Sequence, residues 1–389
     1  MIIPFNKPFL TGRELDYIQK AHANGHLSGD GPFSRLCHEW LERRIGCAKA
    51  LLTHSCTGAL EMAAILCDLG PGDEVILPSF TFVSTANAFV LRGAVPVFVD
   101  IRSDTFNIDE KAIEAAVTPR TKAIAAVHYA GVGCEMDAIL DIARRRGLAV
   151  IEDAAQGILS RYKGRPLGSM GQLAALSFHE TKNVIAGEGG GLLINDPRYI
   201  ERAEIIREKG TDRKKFSRGE TDRYTWIDIG SSYLPSDINA AFLWAQLESA
   251  DEITARRRAI WSRYHEAFAG LEREGLARRP IVPDDCLPNA HMYQILLSGA
   301  SATAPFLERM RSRDIHAVFH YVPLHSSPMG RARGRAHGSM ANTDDLSSRI
   351  VRLPLWLGIE PHLDRVIDAV VAELRALGRR GPPPDASVS

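Results

Sequence analysis

Short apolar runs alternate with amphipathic stretches from about residue 50 to residue 195. Runs such as EVILPS, PVFVD and LAVIED predict buried strands, and intervening stretches such as DAILDIARRRG have helical periodicity. Connections of this length join parallel strands through helical crossovers. The pattern therefore predicts a largely parallel sheet covered by helices, with ligands bound at the carboxyl ends of its strands.

The second half of the chain has a different pattern. A long helical stretch over residues 237–270 follows the βα region, and Asp237 stands where a helix N-cap is expected. Beyond about residue 285, strands such as MYQILLS alternate with helices, which predicts an α+β unit. We expect a large domain over residues 1–250 with its first 30 residues near the active site, a small domain over 251–378, and a disordered tail over 379–389.

Composition narrows the class of ligand. Lys plus Arg total 47 and Asp plus Glu total 47, so no charge excess points to nucleic acid or to a membrane surface. The six cysteines show no CxxC pairing, no secretory leader is recognisable, and no apolar run is long enough to span a membrane. The histidines lack metal-ligand spacing. We therefore expect a cytoplasmic protein that binds small molecules and no metal.

An acidic residue and a lysine stand out as candidate chemistry. IEDAAQ ends an apolar strand, so Asp153 should project into the cleft, where it could pair with a cationic ring nitrogen or merely cap the next helix. Lys182 follows on a loop just past a strand, where a buried amine could condense with an aldehyde. A lone lysine is usually a solvated surface group. It is the combination of Asp153 and Lys182 that favours an active site.

Two further segments could hold a phosphorylated, planar ligand. In THSCTGALEMAAIL, Thr57 and Gly58 begin a helix whose free N–H groups could bind a phosphate, although an ordinary N-cap explains them as well. Ser177, before the lysine, could also bind a phosphate. Phe82 in LPSFTFVSTANAF could stack on a planar ring, with core packing as the alternative.

Nine ordered segments resemble the sugar aminotransferases of the DegT/DnrJ/EryC1/StrS family: THSCTGA, PSFTFVSTANA, GAVPVFVD, VHYAG, VIEDAAQ, GSMG, SFHETKN, GEGG and HYVPLH. The resemblance spans roughly residues 4–360. It implies the fold type I architecture of pyridoxal-phosphate aminotransferases, an α/β large domain with a mostly parallel seven-stranded sheet plus a smaller α+β C-terminal domain. It also implies pyridoxal 5'-phosphate as cofactor and a homodimer with active sites at the subunit interface.

The same resemblance implies roles for single residues in cofactor binding. Lys182 of SFHETKN would form the imine with the cofactor, and Asp153 would pair with its pyridine nitrogen. Gln156 would contact the phenolic oxygen, and Phe82 would lie against the ring. The residues expected to hold the phosphate are Thr57, Gly58 and Ser177.

On the substrate side, HYVPLH makes His320, Tyr321 and His325 candidates for sugar contact. Many members carry an Asn that reaches the partner's phosphate, whereas this chain has Ser232 near that place. The segments IPFNKP, SGDGPF, REKGTDR and NAHMYQI most resemble members that aminate C4 of dTDP-4-dehydro-6-deoxy-D-glucose, with L-glutamate as donor.

Three alternatives stay open at this stage. Another sugar aminotransferase, acting at C3 or giving the gluco epimer, would share the same cofactor motifs. A sugar dehydratase of the same fold would carry His where Lys182 stands. A non-enzymatic ligand sensor would usually carry an added interaction domain, and neither a helix-turn-helix segment nor a basic patch flanks the matched region.

Overall fold

The computed structural model describes residues 1–379. The tail predicted over 379–389 lies outside this range except for its first residue. The strands are β1 Lys49–Thr53, β2 Glu74–Pro78, β3 Val95–Val99, β4 Thr121–Val127, β5 Ala149–Asp153, β6 Arg161–Tyr162, β7 Arg165–Pro166, β8 Leu173–Ser177, β9 Gly190–Ile194, β10 Ala277–Arg278, β11 Cys286–Leu287, β12 Tyr293–Leu297, β13 Arg335–Ala336 and β14 Ile350–Leu353.

The helices connect and cover these strands. They are α1 Glu14–Ala23, α2 Pro32–Ile45, α3 Cys56–Leu66, α4 Val83–Val90, α5 Glu110–Ala116, α6 Met136–Arg146, α7 Ile200–Arg207, α8 Arg213–Ser217, α9 Asp237–Glu248, α10 Ala250–Ala267, α11 Ala269–Arg273, α12 Thr303–Ser312, α13 Pro328–Arg333, α14 Ala341–Arg349 and α15 Leu363–Gly378. No helix within residues 1–379 is long and apolar enough to cross a membrane.

The main sheet contains eight strands in the order β1-β9-β8-β5-β4-β2-β3-β13. Strand β9 runs antiparallel to both neighbours, and every other pairing is parallel. The mostly parallel sheet predicted from the sequence is therefore confirmed, with one strand more than the predicted seven. The extra strand, β13, comes from the C-terminal part of the chain, and Arg335 fixes it there by binding the buried Glu74 carboxylate.

Helices cover both faces of this sheet, because alternate residues of each strand point to opposite sides. Helices α3, α4 and α7 pack on the face that presents Leu77 and Ile151. Helices α2 and α9 cover the other face around Leu176, and α5 and α6 cover it around Ile124. The strands are thus buried on both sides, which leaves the strand ends as the places where polar groups reach a cleft.

The C-terminal part forms a second core. Strands β10, β12 and β14 make an antiparallel sheet. Helices α10, α11, α12 and α15 pack against it around Tyr264, Phe268 and Tyr293. The single helical stretch predicted over residues 237–270 is divided at Ser249, which ends α9 before α10 begins.

Asp237 is not the N-cap that its position in the sequence suggests. Ser236 caps α9 by accepting a hydrogen bond from the backbone N–H of Asn239 at 3.3 Å. The Asp237 carboxylate instead accepts hydrogen bonds at the start of α2, from the Phe33 N–H at 3.2 Å and from the Ser34 N–H and hydroxyl, each at 2.8 Å. Asp237 therefore ties α9 to α2 and satisfies N–H groups of a distant helix.

Glu152 fixes the strand that carries Asp153. Its fully buried carboxylate accepts hydrogen bonds from three backbone N–H groups, those of Gly168 at 2.8 Å and of Met170 and Gly171 at 2.6 Å, and lies 2.9 Å from His128 Nε2. Burial alone would raise the pKa of Glu152, but these hydrogen bonds outweigh it and hold the pKa below 4.5. The GSMG segment is thus folded around one carboxylate.

Replacing this carboxylate by an amide should destabilise the protein. In Glu152→Gln an NH₂ group faces backbone donors, so we expect the free energy of unfolding to fall by about 2–4 kcal/mol, measured by urea denaturation. Glu114→Gln, at an exposed carboxylate paired with Arg145 and Arg146, is the control and should leave the midpoint nearly unchanged. Equal small effects of both variants would contradict this account.

The difference in unfolding free energy between wild type and Glu152→Gln should depend on pH in one direction. The pKa of Glu152 is lower in the folded protein than the ordinary 4.5, so its contribution is present above pH 4.5 and is lost as the pH falls through the folded-state value. The stability gap between wild type and Glu152→Gln should therefore narrow below pH 4.5.

Candidate active site

A cavity of about 760 Å³ opens at the carboxyl ends of β4, β5 and β8. Asp153 and Ser177 are the last residues of β5 and β8, and both line it. The opposite wall comes from the C-terminal part of the chain, including residues 318–321 and Arg352. The cavity therefore lies where a parallel sheet is expected to bind its ligand.

The Asp153 carboxylate is buried and fixed in direction. Its Oδ2 accepts a hydrogen bond from the Thr85 hydroxyl at 2.6 Å, and its Oδ1 accepts one from the Ala155 N–H at 3.1 Å. Thr85 is itself hydrogen-bonded to Thr81 at 2.9 Å. The Ala155 contact lies in the turn between β5 and β6, where no helix begins, so Asp153 does not cap a helix as the alternative reading of the sequence would have it. The carboxylate lines the cavity and so can meet a cationic group there.

Lys182 lies in the turn after β8 and lines the same cavity as Asp153. Its backbone N–H donates to the His179 carbonyl at 2.9 Å, which fixes the turn. Burial lowers the pKa of the Lys182 ammonium below 10.5, against the opposing charge of Asp153 and with help from the positive charge of Arg352. The amine is therefore more readily neutral, and so more nucleophilic, than a surface lysine.

Hydroxyl groups gather at the start of α3. Ser55 is the N-cap, Thr57 donates a hydrogen bond to Ser84 at 2.8 Å, and all three residues line the cavity together with Ser177. A helix N-terminus surrounded by hydroxyls is suited to bind a phosphate. Thr57 and Ser177, both expected from the sequence to hold a phosphate, therefore line the same cavity.

Gly58 does not line the cavity, and its N–H is taken by the Ser55 hydroxyl at 3.0 Å. Its lack of a side chain has a packing reason. A Cβ at this position would lie 3.0 Å from ring atoms of His54 and Tyr233. The structure therefore places Gly58 behind the cavity wall, where it lets α3 approach these rings.

Aromatic side chains form another part of the wall. Phe82 is 56% exposed, and its ring lies 6.2 Å from that of Tyr321. Gln156 connects the two sides, because its Nε2 donates to the Tyr321 hydroxyl at 2.9 Å while its Oε1 accepts from the Ala130 N–H at 2.7 Å. Phe82, Gln156 and Tyr321 all line the cavity.

The two histidines of HYVPLH have different surroundings. His320 lines the cavity, stacks on Tyr321 at 3.7 Å and is hydrogen-bonded to Tyr129 at 2.6 Å. Burial lowers the pKa of His320 well below 6.5, with positive charges nearby acting in the same direction, so the ring is neutral. His325 is not among the lining residues, because Ser79 at 2.7 Å holds it away.

The cavity also contains residues that the sequence did not single out. Thr85, Arg257, His291 and Arg352 line it, as do Phe5 and Asn6 near the N-terminus. Arg352 interrupts the apolar run IVRLPLW, and a charge inside such a run is a signal that could have identified it. Arg257 lies in the polar stretch ARRRAIW, where nothing distinguishes it from its neighbours.

The lining residues fit pyridoxal phosphate. An amine suited to an aldehyde (Lys182), a fixed carboxylate for a protonated ring nitrogen (Asp153), a hydroxyl-rich helix N-terminus for a phosphate, and an exposed aromatic face for a planar ring (Phe82) all meet in one cavity. Among residues 1–379 no cluster of His, Cys, Asp or Glu could hold a metal ion.

Known proteins with similar sequences and structures point the same way. The model of the DegT/DnrJ/EryC1/StrS aminotransferase family matches residues 8–371. The spore coat polysaccharide biosynthesis protein SpsC of Bacillus subtilis (strain 168) is 34% identical over 377 residues, covering 95% of this chain and 96% of that protein.

Two solved structures resemble the whole chain. The aminotransferase TlmJ from Streptoalloteichus hindustanus has a TM-score of 0.89 at 29% identity, covering 97% of this chain and 100% of that one. DesV of S. venezuelae, solved in complex with a ketimine intermediate, has a TM-score of 0.87 at 29% identity, covering 96% and 98%. The chain belongs to the DegT/DnrJ/EryC1/StrS aminotransferase family, as its sequence motifs predict, and shares its fold and its pyridoxal-phosphate cofactor.

Proposed function

We propose that the protein transfers the amino group of L-glutamate to C4 of dTDP-4-dehydro-6-deoxy-D-glucose, giving dTDP-4-amino-4,6-dideoxy-D-galactose and 2-oxoglutarate. The observation that carries this proposal is the Lys182 amine and the Asp153 carboxylate lining one cavity at the strand ends. The choice of sugar rests on the segments IPFNKP, SGDGPF and NAHMYQI. The six free cysteines agree with action in the cytoplasm.

Lys182 is the proton carrier of the proposed reaction. When bound, pyridoxal phosphate accepts electrons from the substrate carbon that bears the nitrogen. The Lys182 Nζ would take the proton from Cα of glutamate in the first half of the reaction and would donate a proton to C4 of the sugar in the second half. Its lowered pKa favours the neutral form that accepts a proton.

The negative charge of Asp153 would keep the ring nitrogen protonated, and the carboxylate is held in a fixed direction for this role. Thr85 and the Ala155 N–H hold its two oxygens. Thr57 and Ser177 line the cavity and would bind the phosphate, while Phe82 and Gln156 would contact the ring and its phenolic oxygen. His320 and Tyr321 are left on the opposite wall for the sugar.

We also propose a homodimer. The segment of residues 216–229 exposes several large apolar side chains, among them Trp226, which is 75% exposed. Such a concentration of apolar surface is typical of an interface. In the double variant Trp226→Glu with Ile227→Glu, sedimentation velocity should show a monomer. The control Ile281→Glu, at an exposed apolar residue outside the segment, should stay dimeric, and a monomeric wild type would contradict the proposal.

The reaction is tested by following the absorbance of the bound cofactor. Glutamate should change the spectrum, and dTDP-4-dehydro-6-deoxy-D-glucose should restore it, with release of 2-oxoglutarate. NMR of the ring protons then identifies the product, because the coupling constants of H3, H4 and H5 differ between the galacto and gluco epimers. An amine at C3 or a gluco product would replace the proposed reaction by that of a related aminotransferase, and no response to glutamate would overturn the donor.

Asp153→Asn should lower turnover at least about a hundredfold, because a neutral amide cannot stabilise a protonated ring nitrogen. Lys182→Ala should leave no measurable turnover. The matched control is Asp137→Asn, which removes an exposed carboxylate paired with Lys163. Steady-state kcat and the urea midpoint are measured for each variant. Full turnover in Asp153→Asn, with the fold retained, would contradict the role given to Asp153.

A further inference from the structure

Two arginines in the cavity wall have no carboxylate partner. Arg257 on α10 and Arg352 on β14 both line the cavity. Among the described residues, neither forms an ion pair with Asp or Glu, and the hydrogen bonds of both guanidinium groups go to backbone carbonyls. Surface arginines such as Arg145, in contrast, are paired with carboxylates. The wall therefore presents positive charge that the protein itself does not neutralise.

Arg257 is only 6% exposed, and backbone carbonyls are its partners. Its Nε donates to the Ala290 carbonyl at 3.1 Å and its Nη2 to the His291 carbonyl at 2.7 Å. Burial lowers the pKa of Arg257 to about 9. These bonds fix the side chain but leave its charge uncompensated, which is costly in a buried position unless a ligand supplies an anion.

Arg352 is less completely satisfied. Its Nη2 donates to the Phe319 carbonyl at 3.2 Å, and the Phe5 ring lies 4.7 Å from its Cζ. Its Nε is buried without a hydrogen-bond partner in the part of the chain that the structure describes. Burial lowers the pKa of Arg352 as well. The guanidinium lines the cavity although its Nε is shielded, and a planar cation in that position is suited to a carboxylate.

We propose that Arg352, aided by the charge of Arg257, binds the α-carboxylate of the amino donor. This inference rests on the proposed function, since it names the group that positions the donor in it. The Arg352 charge is close enough to lower the pKa of Lys182. The α-carboxylate of an amino acid is bonded to the same carbon as its nitrogen, so it must lie near the lysine that this nitrogen displaces.

The other anions of the reaction fit this wall less well. The cofactor phosphate would be bound by the hydroxyl groups around the start of α3, on the large-sheet side of the cavity. The diphosphate of the nucleotide sugar is attached at C1, across the hexose ring from C4, and so lies farther from Lys182 than a donor carboxylate. The sugar carbons beside C4 carry only neutral groups, which need no arginine.

The two half-reactions distinguish a role of Arg352 in binding the donor carboxylate from a role in binding the nucleotide diphosphate. In Arg352→Gln, the glutamate concentration that gives half the maximal rate of cofactor spectral change should rise at least about tenfold, because a charge-assisted hydrogen bond is lost. The rate at which the keto sugar restores the spectrum of the aminated enzyme should stay within about twofold. The control is Arg256→Gln, whose guanidinium pairs with Glu360 at 2.9 Å outside the cavity. It should behave as wild type, and Arg352→Lys should recover part of the lost affinity.

A binding measurement tests the same site without turnover. Glutarate, a dicarboxylate without an amino group, is titrated calorimetrically into the cofactor-loaded protein, and Arg352→Gln should weaken its binding at least about tenfold. Unchanged glutarate and glutamate dependence in Arg352→Gln would overturn the inference. Loss of the keto-sugar step alone would also overturn it and assign Arg352 to the nucleotide diphosphate. If glutamate leaves the cofactor spectrum of the wild type unchanged, the proposed function is wrong. The glutarate titration would still decide whether Arg352 binds a carboxylate.

Discussion

The site depends on a carboxylate held at the end of a buried strand. Asp153 ends β5, and its two oxygens are fixed by Thr85 and by the Ala155 N–H. The preceding residue, Glu152, points to the other side and is held by the GSMG segment and His128. Because the side chains of Glu152 and Asp153 are both anchored, the direction of the Asp153 carboxylate is set before any ligand binds. Electrostatic catalysis requires such preorganisation.

Charge is distributed unevenly around this carboxylate. Lys182, Arg257 and Arg352 line the cavity, and among the described lining residues the only carboxylates are those of Asp153 and the exposed Glu188. Burial lowers the pKa of Lys182, and the Arg352 charge acts in the same direction. The excess of positive charge in the wall agrees with ligands that carry carboxylate and phosphate groups. The same environment thus activates the amine and favours anionic ligands.

Much of this could be predicted from the sequence, because the strands are strongly apolar and the polar residues at their ends are conspicuous. Periodicity located β5 and β8, and with them Asp153 and the turn that carries Lys182. Strand β13 was not predicted, because a strand of two residues carries no periodic pattern. Its position depends on a long-range contact with Glu74.

Contacts between distant segments explain the remaining differences. Asp237 looks like an N-cap in the sequence, but Ser34 offers its carboxylate better donors. Gly58 and His325 belong to motifs at the site and yet lie behind its wall, since a motif fixes position along the chain and not the direction of each side chain. Arg257 was not predicted, because its significance comes from the absence of an acidic partner, which only the assembled fold of residues 1–379 reveals.

The central claim is that Lys182 carries the cofactor. Borohydride reduction of the protein loaded with pyridoxal phosphate, followed by proteolysis and mass spectrometry, should place the reduced cofactor on the peptide that contains Lys182. The variant Lys182→Ala should show no such adduct. Stoichiometric labelling of a different lysine in the wild type, with the Lys182 peptide unmodified, would contradict the account.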